Sequence, residues 1–149
     1  MFEWFGKVSY CPHTKVAEFA RHLKNGRLMG SRCTACGEVS FPPRADCPAC
    51  RHGEFEYTEM SGKGTVMTHT TIDAAPAGFE DDVPFHLGVV DLEETGRLLA
   101  SFGDTIKPAE IAIDMPVQVV PRMYEEFEAI RVHYTLEKPG TTWVKVDPD

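Results

Sequence analysis

The spacing of hydrophobic residues near the N-terminus predicts one short amphipathic helix. Apolar side chains recur at i, i+3, i+4 and i+7, which places them on one face of a helix: Val16, Phe19, Ala20 and Leu23. Thr14 is suited to cap the start of this helix, and Asn25-Gly26 to end it. The apolar face therefore packs either against the rest of the domain or against a partner protein.

From Glu54 onward the pattern changes to short β-favouring segments separated by turns. These segments are rich in Val, Ile, Thr and Phe and span residues 62–72, 85–92, 97–103, 115–121 and 127–134. Residues 93–96 (EETG) predict a hairpin turn. Five strands with no intervening helix predict a small closed barrel, for which the five-stranded OB-fold is the simplest candidate. An immunoglobulin-like sandwich would require about seven strands.

Three further segments stand out, and the first two each have two interpretations. Residues 1–10 contain Phe2, Trp4, Phe5 and Tyr10, and this aromatic arm either packs on its own core or anchors an interface. The acidic segment 74–82 (AAPAGFEDD) is either a solvated surface loop or a loop at the barrel mouth that orders around a ligand. The tail, residues 137–149, carries Trp143 and Val144, which would tuck against a neighbour.

Four of the five cysteines form two Cys-x-x-Cys pairs: Cys33, Cys36, Cys47 and Cys50. Each pair can form a tight knuckle that directs two thiolates at one ion, and two knuckles complete the tetrahedral sulfur shell of a structural zinc. Iron in the same sulfur site and a thioredoxin-like redox pair are the alternatives. Disulfides are disfavoured because the chain shows no secretory signal. Four thiolates also leave no open position for a catalytic water.

The sequence around these cysteines predicts a rubredoxin-like zinc ribbon over residues 27–55. Residues 28–32 read as a strand entering the first knuckle and 38–41 as one leaving it, with residues 42–46 as a loop at the ribbon tip. A segment of this size cannot bury enough apolar surface to fold alone, so metal binding contributes its folding free energy. The predicted fold is mainly β: an N-terminal arm and helix (1–26), the ribbon, an OB-fold barrel (56–136) and the tail.

The remaining titratable side chains give weaker signals. Cys11 is interpreted as a reduced thiol, and His52, beside Cys50, as a residue that supports the metal ligands. The other histidines are more typical of satisfied surface or half-buried residues than of catalytic ones: His13, His22, His69, His86 and His133.

Composition and charge narrow the classes of function. The chain has 149 residues, of which 42% are hydrophobic and 26% charged, as in an ordinary soluble domain. No apolar run is long enough to cross a bilayer, which predicts a cytoplasmic protein. The net charge of −8 disfavours a polyphosphate partner. Between Arg21 and Arg51, however, six basic residues stand against two acidic ones.

The order of these features resembles a known family. After the short helix come GRLMGSRCTACGEVSFPPRADCPAC, then MSGKGTVMTHTTI, FHLGVVDL and MPVQVV, together about residues 14–135. This order is similar to that of the acyl-CoA-associated zinc-ribbon/OB-fold proteins found beside thiolases, long catalogued as a domain of unknown function. The aromatic N-terminus and general layout look most similar to small thiolase subunits of anaerobic toluene degradation.

The resemblance implies a non-catalytic accessory subunit. Members look like partners of thiolase-type catalytic subunits, in which they bridge subunits or help to form an acyl-CoA site. Coenzyme A is a polyanion, so the arginines of the basic segment are the candidate contacts for its phosphates: Arg44, Arg32 and Arg51. Alternatively, these arginines form a solvated face that balances the four thiolates.

Two other classes of function compete with this interpretation. Zinc ribbons and OB-folds also occur in proteins that bind single-stranded nucleic acid, although the acidic barrel disfavours that function. A free-standing enzyme would need a nucleophile with an activating base, and no such motif occurs in the sequence.

Overall fold

The computed structural model describes residues 1–7, 11–124 and 128–143. Tyr10, Phe127 and Val144, each part of a predicted segment, lie outside these ranges. The structure has one α-helix within them, α1 (Glu18–Lys24), and short 3-10 turns at Phe2–Trp4, Glu80–Asp82 and Pro108–Glu110. The strands are β1 (Met29–Cys33), β2 (Val39–Ser40), β3 (Phe55–Glu59), β4 (Lys63–Ile72), β5 (Phe85–Leu92), β6 (Arg97–Ser101), β7 (Pro116–Met123) and β8 (Val132–Glu137).

The ribbon is a three-stranded antiparallel sheet with the order β2-β1-β3. β1 pairs with β2 through Ser31 and Ser40, and with β3 along its whole length from Met29 to Cys33. β3 lies across the boundary that the sequence places between residues 55 and 56, and all of its pairs are with the ribbon. The predicted zinc-ribbon architecture is confirmed, with β3 as a strand that the sequence did not separate from the barrel.

The second sheet is the predicted five-stranded barrel, with the order β6-β5-β4-β7-β8. It closes between its two edge strands, because Phe102 bridges to Leu136 and the Gly103 N–H donates to the Leu136 carbonyl over 2.9 Å. Gly62 sits at the junction with the ribbon at φ 76°, and a Cβ there would collide with the Val119 carbonyl. A glycine is therefore required where the chain enters the barrel.

The last strand lies later in the chain than its sequence pattern indicates. The sequence predicts a strand at 127–134, whereas β8 runs from Val132 to Glu137. Glu137 is fully buried in the barrel wall, and its carboxylate accepts hydrogen bonds from Thr135, 2.7 Å away, and from the Thr105 amide, 3.0 Å away. These donors satisfy the buried carboxyl group of a residue that the sequence pattern assigns to the C-terminal tail.

Helix, ribbon and barrel share one hydrophobic core. α1 buries Phe19, Ala20 and Leu23, as its spacing predicts, and begins at Glu18, four residues after the predicted cap Thr14. The Phe41 ring of the ribbon lies 5.9 Å from that of Phe19 and 5.3 Å from that of Tyr134 in β8. The apolar face of α1 thus packs against other parts of the same chain, which is the first of the two possibilities that the sequence leaves open.

The described part of the aromatic arm packs on its own barrel, which is the first of its two interpretations. Phe5 forms a bridge with Val132, and its ring lies 5.2 Å from the His133 ring and 5.8 Å from the Phe19 ring. Phe2, Trp4 and Phe5 are all half-buried. The contacts of Phe5 therefore favour the interpretation in which the arm packs on its own core.

We accordingly expect Phe5→Ala to destabilise the fold. Removing a half-buried ring from the shared core should lower the free energy of unfolding by roughly 2 kcal/mol, measured by urea denaturation. Phe2→Ala is the control, because the Phe2 ring stacks on Phe5 at 5.5 Å and lies outside the core cluster, so its loss should cost less. Unchanged stability of Phe5→Ala with loss of partner binding would instead support an interface anchor.

Candidate metal centre and neighbouring recesses

The two Cys-x-x-Cys pairs form two knuckles with the same backbone geometry. In the first, the Gly37 N–H donates to the Cys33 carbonyl over 3.0 Å, and Gly37 has φ 78°. In the second, the Arg51 N–H donates to the Cys47 carbonyl over 2.9 Å, and Arg51 has φ 66°. Glycine adopts this conformation without strain, so the Gly37 turn is readable from the sequence, whereas Arg51 is held in it by the knuckle.

The four knuckle sulfur atoms converge on one point. Every pair of sulfur atoms lies within 4.8 Å, with Cys33 Sγ 3.6 Å from Cys50 Sγ and Cys36 Sγ 3.5 Å from Cys47 Sγ. Bonds of 2.3 Å to a tetrahedral zinc would separate the sulfurs by about 3.8 Å, whereas a disulfide would bring two of them to about 2.05 Å. The donor set and its spacing therefore fit a metal ion of the zinc type.

Hydrogen bonds around the knuckles lower the pKa of some of the four cysteine thiols and raise that of others. The backbone N–H of Cys36, with that of Ala35, outweighs burial and lowers the pKa of Cys33 to about 6. The Glu38 amide lowers the pKa of Cys36, but contacts with the thiols of Cys47 and Cys50 raise it to about 12. The pKa of Cys47 is lowered, chiefly by the Cys50 amide. A cation is thus needed to hold all four thiols ionised at neutral pH.

Side chains outside the knuckles support the metal centre. The His52 ring Nε2 lies 3.1 Å from Thr34 Oγ1, and the His52 carbonyl accepts the Cys47 N–H over 2.9 Å, so His52 links the two knuckles. Cys11 is exposed, and its thiol contacts the His13 carbonyl, away from the cluster. The predicted ligands are thus brought together, and Cys11 and His52 lie outside the group.

The three candidate phosphate contacts lie on the ribbon surface. Arg32, Arg44 and Arg51 are all exposed, and within the described ranges none forms an ion pair with a carboxylate. The Arg44 N–H donates to Ser31 Oγ over 2.9 Å, which fixes the loop at the ribbon tip. Ser31 is buried, and sequence reasoning missed this anchor because a serine within a strand carries no distinctive signal.

Arg44 lines a very small recess beside the cysteines. The recess has a volume of only about 10 Å³, room for a single water, and Glu38 and Glu54 line it together with Arg44. The recess is too small for a phosphate group, so a ligand can reach Arg44 only at its solvent-exposed side.

A much larger cleft of about 560 Å³ lies at the barrel. Residues of segment 74–82 line the cleft, as expected for a loop at the barrel mouth: Pro76, Phe79 and Asp82. The rest of the lining includes the aromatic side chains of Phe85, Phe102 and Tyr124 and two ion-paired cations, Lys7 and Arg122. Lys7 contacts Asp82 at 2.5 Å, and Arg122 contacts Asp104 at 3.1 Å. None of the three ribbon arginines lines this cleft, so the ribbon tip and the barrel mouth are separate sites.

The histidines occupy different environments. His69 is exposed, His86 lies 2.8 Å from Thr71 Oγ1, and the His22 ring packs 4.9 Å from Tyr57. His133 lines the cleft, and its buried Nδ1 has no hydrogen-bond partner among the described residues. Burial, with the nearby Arg122 cation, lowers the pKa of His133 to about 4. Apart from segment 74–82, the sequence gives no signal for this cleft, because five separate segments of the chain assemble it.

The Trp143 ring lies 5.6 Å from the Arg122 guanidinium, so the described part of the tail packs on its own barrel. Within the described ranges no helix is long and apolar enough to span a membrane.

Comparison with known proteins agrees with the two-part fold. Residues 21–56 match the ChsH2 rubredoxin-like zinc ribbon domain, and residues 57–122 match the ChsH2 C-terminal OB-fold domain. A DUF35 domain-containing scaffold protein of Methanocaldococcus jannaschii is 41% identical over 108 residues, which cover 71% of this chain and 76% of the relative. The benzoylsuccinyl-CoA thiolase subunit BbsA of Thauera aromatica is 34% identical over 73 residues, 49% of each chain.

Solved structures give the same result. The chain is similar to a chain of the Ltp2-ChsH2(DUF35) aldolase with a TM-score of 0.62 and 28% identity, covering 79% of this chain and 89% of the other. A DUF35-family protein of Sulfolobus solfataricus has a TM-score of 0.52 at 23% identity and covers 83% of this chain and 87% of the other, which supports the fold alone.

Proposed function

Because this chain belongs to the family of DUF35 domain-containing scaffold proteins with a ChsH2-type zinc ribbon and OB-fold, we propose that it is a non-catalytic subunit of a thiolase-type enzyme. The observation that carries the proposal is the match of ribbon and barrel, in order, to proteins described as a scaffold, a thiolase subunit and part of an aldolase. In this function the chain bridges catalytic subunits and holds no reacting group itself.

The metal has a structural role in this proposal. Zinc bound by Cys33, Cys36, Cys47 and Cys50 would close the two knuckles against each other, and its four thiolate ligands leave no site for a catalytic water. The thiolates require a reducing compartment, in agreement with the predicted cytoplasmic location.

The proposal includes a contact with the acyl-CoA of the catalytic partner. Its support is the exposed set of Arg32, Arg44 and Arg51, none of which forms an ion pair among the described residues, on the ribbon of a chain whose net charge is −8. Guanidinium groups form charge-assisted hydrogen bonds with phosphate, and the anchored tip presents Arg44 with little conformational freedom to lose. The match to BbsA, which covers 49% of this chain, supports an aromatic acyl group, and the identity of that group stays a prediction.

Co-expression with a thiolase-type catalytic subunit from the same genome tests the proposal. We expect the two proteins to elute together in a fixed ratio and the chain alone to show no thiolase turnover. Separate elution would contradict the proposed function. Salt-sensitive retention of the purified chain on single-stranded DNA would favour the competing nucleic-acid function, and turnover by the chain alone would favour a free-standing enzyme.

Arg44→Ala tests the acyl-CoA contact in the assembled complex. Loss of one surface phosphate contact should cost about 1 kcal/mol, seen as a fivefold to tenfold higher KM for the acyl-CoA with kcat nearly unchanged. Arg97→Ala is the matched control, because Arg97 is an exposed arginine of the barrel that pairs with Asp91 at 2.7 Å. An unaltered KM in an intact, metal-loaded complex would remove Arg44 from the proposed contact.

A further inference from the structure

Strand β4 extends well beyond one of its two neighbours. β5 pairs with β4 from Gly64 to Ile72, but β7 pairs only with Lys63, Gly64 and Thr65. The last contacts on the β7 side are made by Val66, whose N–H donates to the Met115 carbonyl over 3.0 Å and whose carbonyl accepts the Asp114 N–H over 2.8 Å. Beyond them, residues 67–72 have no strand on that side in the part of the chain that the structure describes. We call these six residues the free edge.

The free edge lacks the features that protect most strand edges from pairing with another chain. Its sequence is MTHTTI, with no lysine, no proline and no acidic residue. All but Ile72 are exposed, and four of the six are β-branched, which favours an extended strand. The one irregularity of β4, the register shift between Val66 and Thr68, lies at the start of the free edge and leaves the rest of it regular.

A cross-strand row of residues leads from an exposed leucine to the free edge. Leu99 in β6 lies opposite Val89 in β5, and Val89 lies opposite Thr68 in the free edge. Leu99 is 62% exposed, Met67 is 37% exposed, and Ile113, next to the Asp114 that bonds Val66, is 59% exposed. These three are the exposed large hydrophobic residues among those described. Exposed apolar side chains within and beside an unpaired strand edge are typical of a protein contact.

We propose that the free edge pairs antiparallel with the free edge of a second copy of this chain, about a two-fold axis at Thr70. An edge strand is complementary to its own antiparallel copy, because each unpaired N–H meets an unpaired carbonyl. In this register Thr70 faces Thr70 of the second copy, and Thr68 faces Ile72. The free edge contains no Asp, Glu, Lys or Arg, so the pairing places no like-charged pair of these side chains directly opposite each other across the new strand pair.

The pairing would join the two barrels through one continuous sheet. Six residues per copy form a small interface, so we expect a reversible dimer whose population depends on protein concentration. A two-fold dimer would also present two ribbons, which would allow one assembly to hold two catalytic partners. The dimer itself does not depend on the proposed function, since it requires only this chain.

Sedimentation equilibrium of the full, metal-loaded chain, from micromolar to submillimolar concentration, tests the dimer. The mass should rise from 16.6 kDa toward twice that value. Thr70→Lys places two lysines opposite each other at the axis and should weaken the dimer at least tenfold. Thr65→Lys is the matched control, because Thr65 is an exposed threonine of the same strand with β5 and β7 on its two sides, and it should dimerise like the wild type.

Hydrogen exchange of the same samples locates the contact. Amides of residues 67–72 should become more protected as the concentration rises in the wild type and in Thr65→Lys, but not in Thr70→Lys. A wild-type chain that stays monomeric at every concentration would overturn the proposal. If Thr70→Lys then lost binding of a catalytic partner, the free edge would be the site for that partner and not for a second copy of this chain. A dimer without added protection of these amides would overturn it too, because it would use another surface.

Discussion

Cys36→Ser is expected to abolish stoichiometric metal binding and to loosen the whole ribbon. A serine hydroxyl does not ionise at neutral pH, so the variant offers three thiolates and a weak fourth donor to the ion. The ribbon sheet is small, with a β2 of two residues, and it depends on the ion to hold its two knuckles together. Structural zinc contributes on the order of 10 kcal/mol to the folding of isolated zinc-finger peptides.

The barrel should also lose stability in this variant. Phe41, between the two knuckles, belongs to the same hydrophobic core as Phe19 of the helix and Tyr134 of β8. Loosening the ribbon therefore exposes part of the core that the barrel shares, and we expect the unfolding free energy to fall by roughly 3 kcal/mol or more. Much of the far-ultraviolet β signal should remain, because among the described residues no strand of the ribbon pairs with a strand of the barrel.

Metal analysis and urea denaturation measure the two effects, with Cys11→Ser as the matched control. Cys11 is an exposed thiol outside the cluster, so its loss should leave one equivalent of zinc and an unchanged midpoint. If Cys36→Ser kept one equivalent of metal and wild-type stability, a structural metal at these four cysteines would be refuted. The same conclusion would follow from a wild-type chain that is fully folded without metal.

The sequence predicts the metal centre well because its geometry is local. A Cys-x-x-Cys knuckle is set by residues within five positions of one another, and the fixed spacing of the two pairs identifies all four ligands without knowledge of the fold. The barrel strands are predicted for a similar reason: β5, at Phe85–Leu92, has the predicted bounds because turn residues flank a run of apolar and β-branched side chains.

The features that the sequence misses depend on partners far along the chain. The sequence pattern assigns Glu137 to the C-terminal tail, because its burial depends on Thr105, which approaches only when the barrel closes. The arm residue Phe5 is ambiguous for the same reason, since its contacts are to Val132 and His133 at the other end of the sequence. Neither position carries a local pattern that distinguishes a buried from an exposed residue.

Acid should destabilise the protein through His133. This loss of stability should begin at a pH well above that at which the carboxylates of the protein become protonated. An unfolded histidine titrates near pH 6.5, whereas burial and the Arg122 cation lower the pKa of folded His133 to about 4. A proton on the imidazole would also leave its buried Nδ1 as an unsatisfied donor. The folded protein therefore keeps this ring neutral.

The sign of the pH dependence follows from that difference. Between about pH 6.5 and 4 the unfolded chain binds a proton that the folded chain excludes, so the stabilisation from neutral His133 is complete above this window and is lost as the pH falls through it. Each pH unit costs about 1.4 kcal/mol for one proton, so the total loss is on the order of 3 kcal/mol. Glu3 and Glu110, whose pKa values are lowered from 4.5, act only at the acid end of the window.

His133→Gln isolates this contribution, because glutamine is polar and does not titrate. The variant should be less stable than the wild type at neutral pH, and the gap should close as the pH falls from about 6.5 to about 4.5. Release of zinc by acid affects both proteins equally, and so does the burial of His22, so neither changes the gap. His69→Gln, at an exposed position of β4, should follow the wild type at every pH. A gap between wild type and His133→Gln that stays constant with pH would mean that His133 titrates alike in both states, and so lies in water instead of against the arm and barrel.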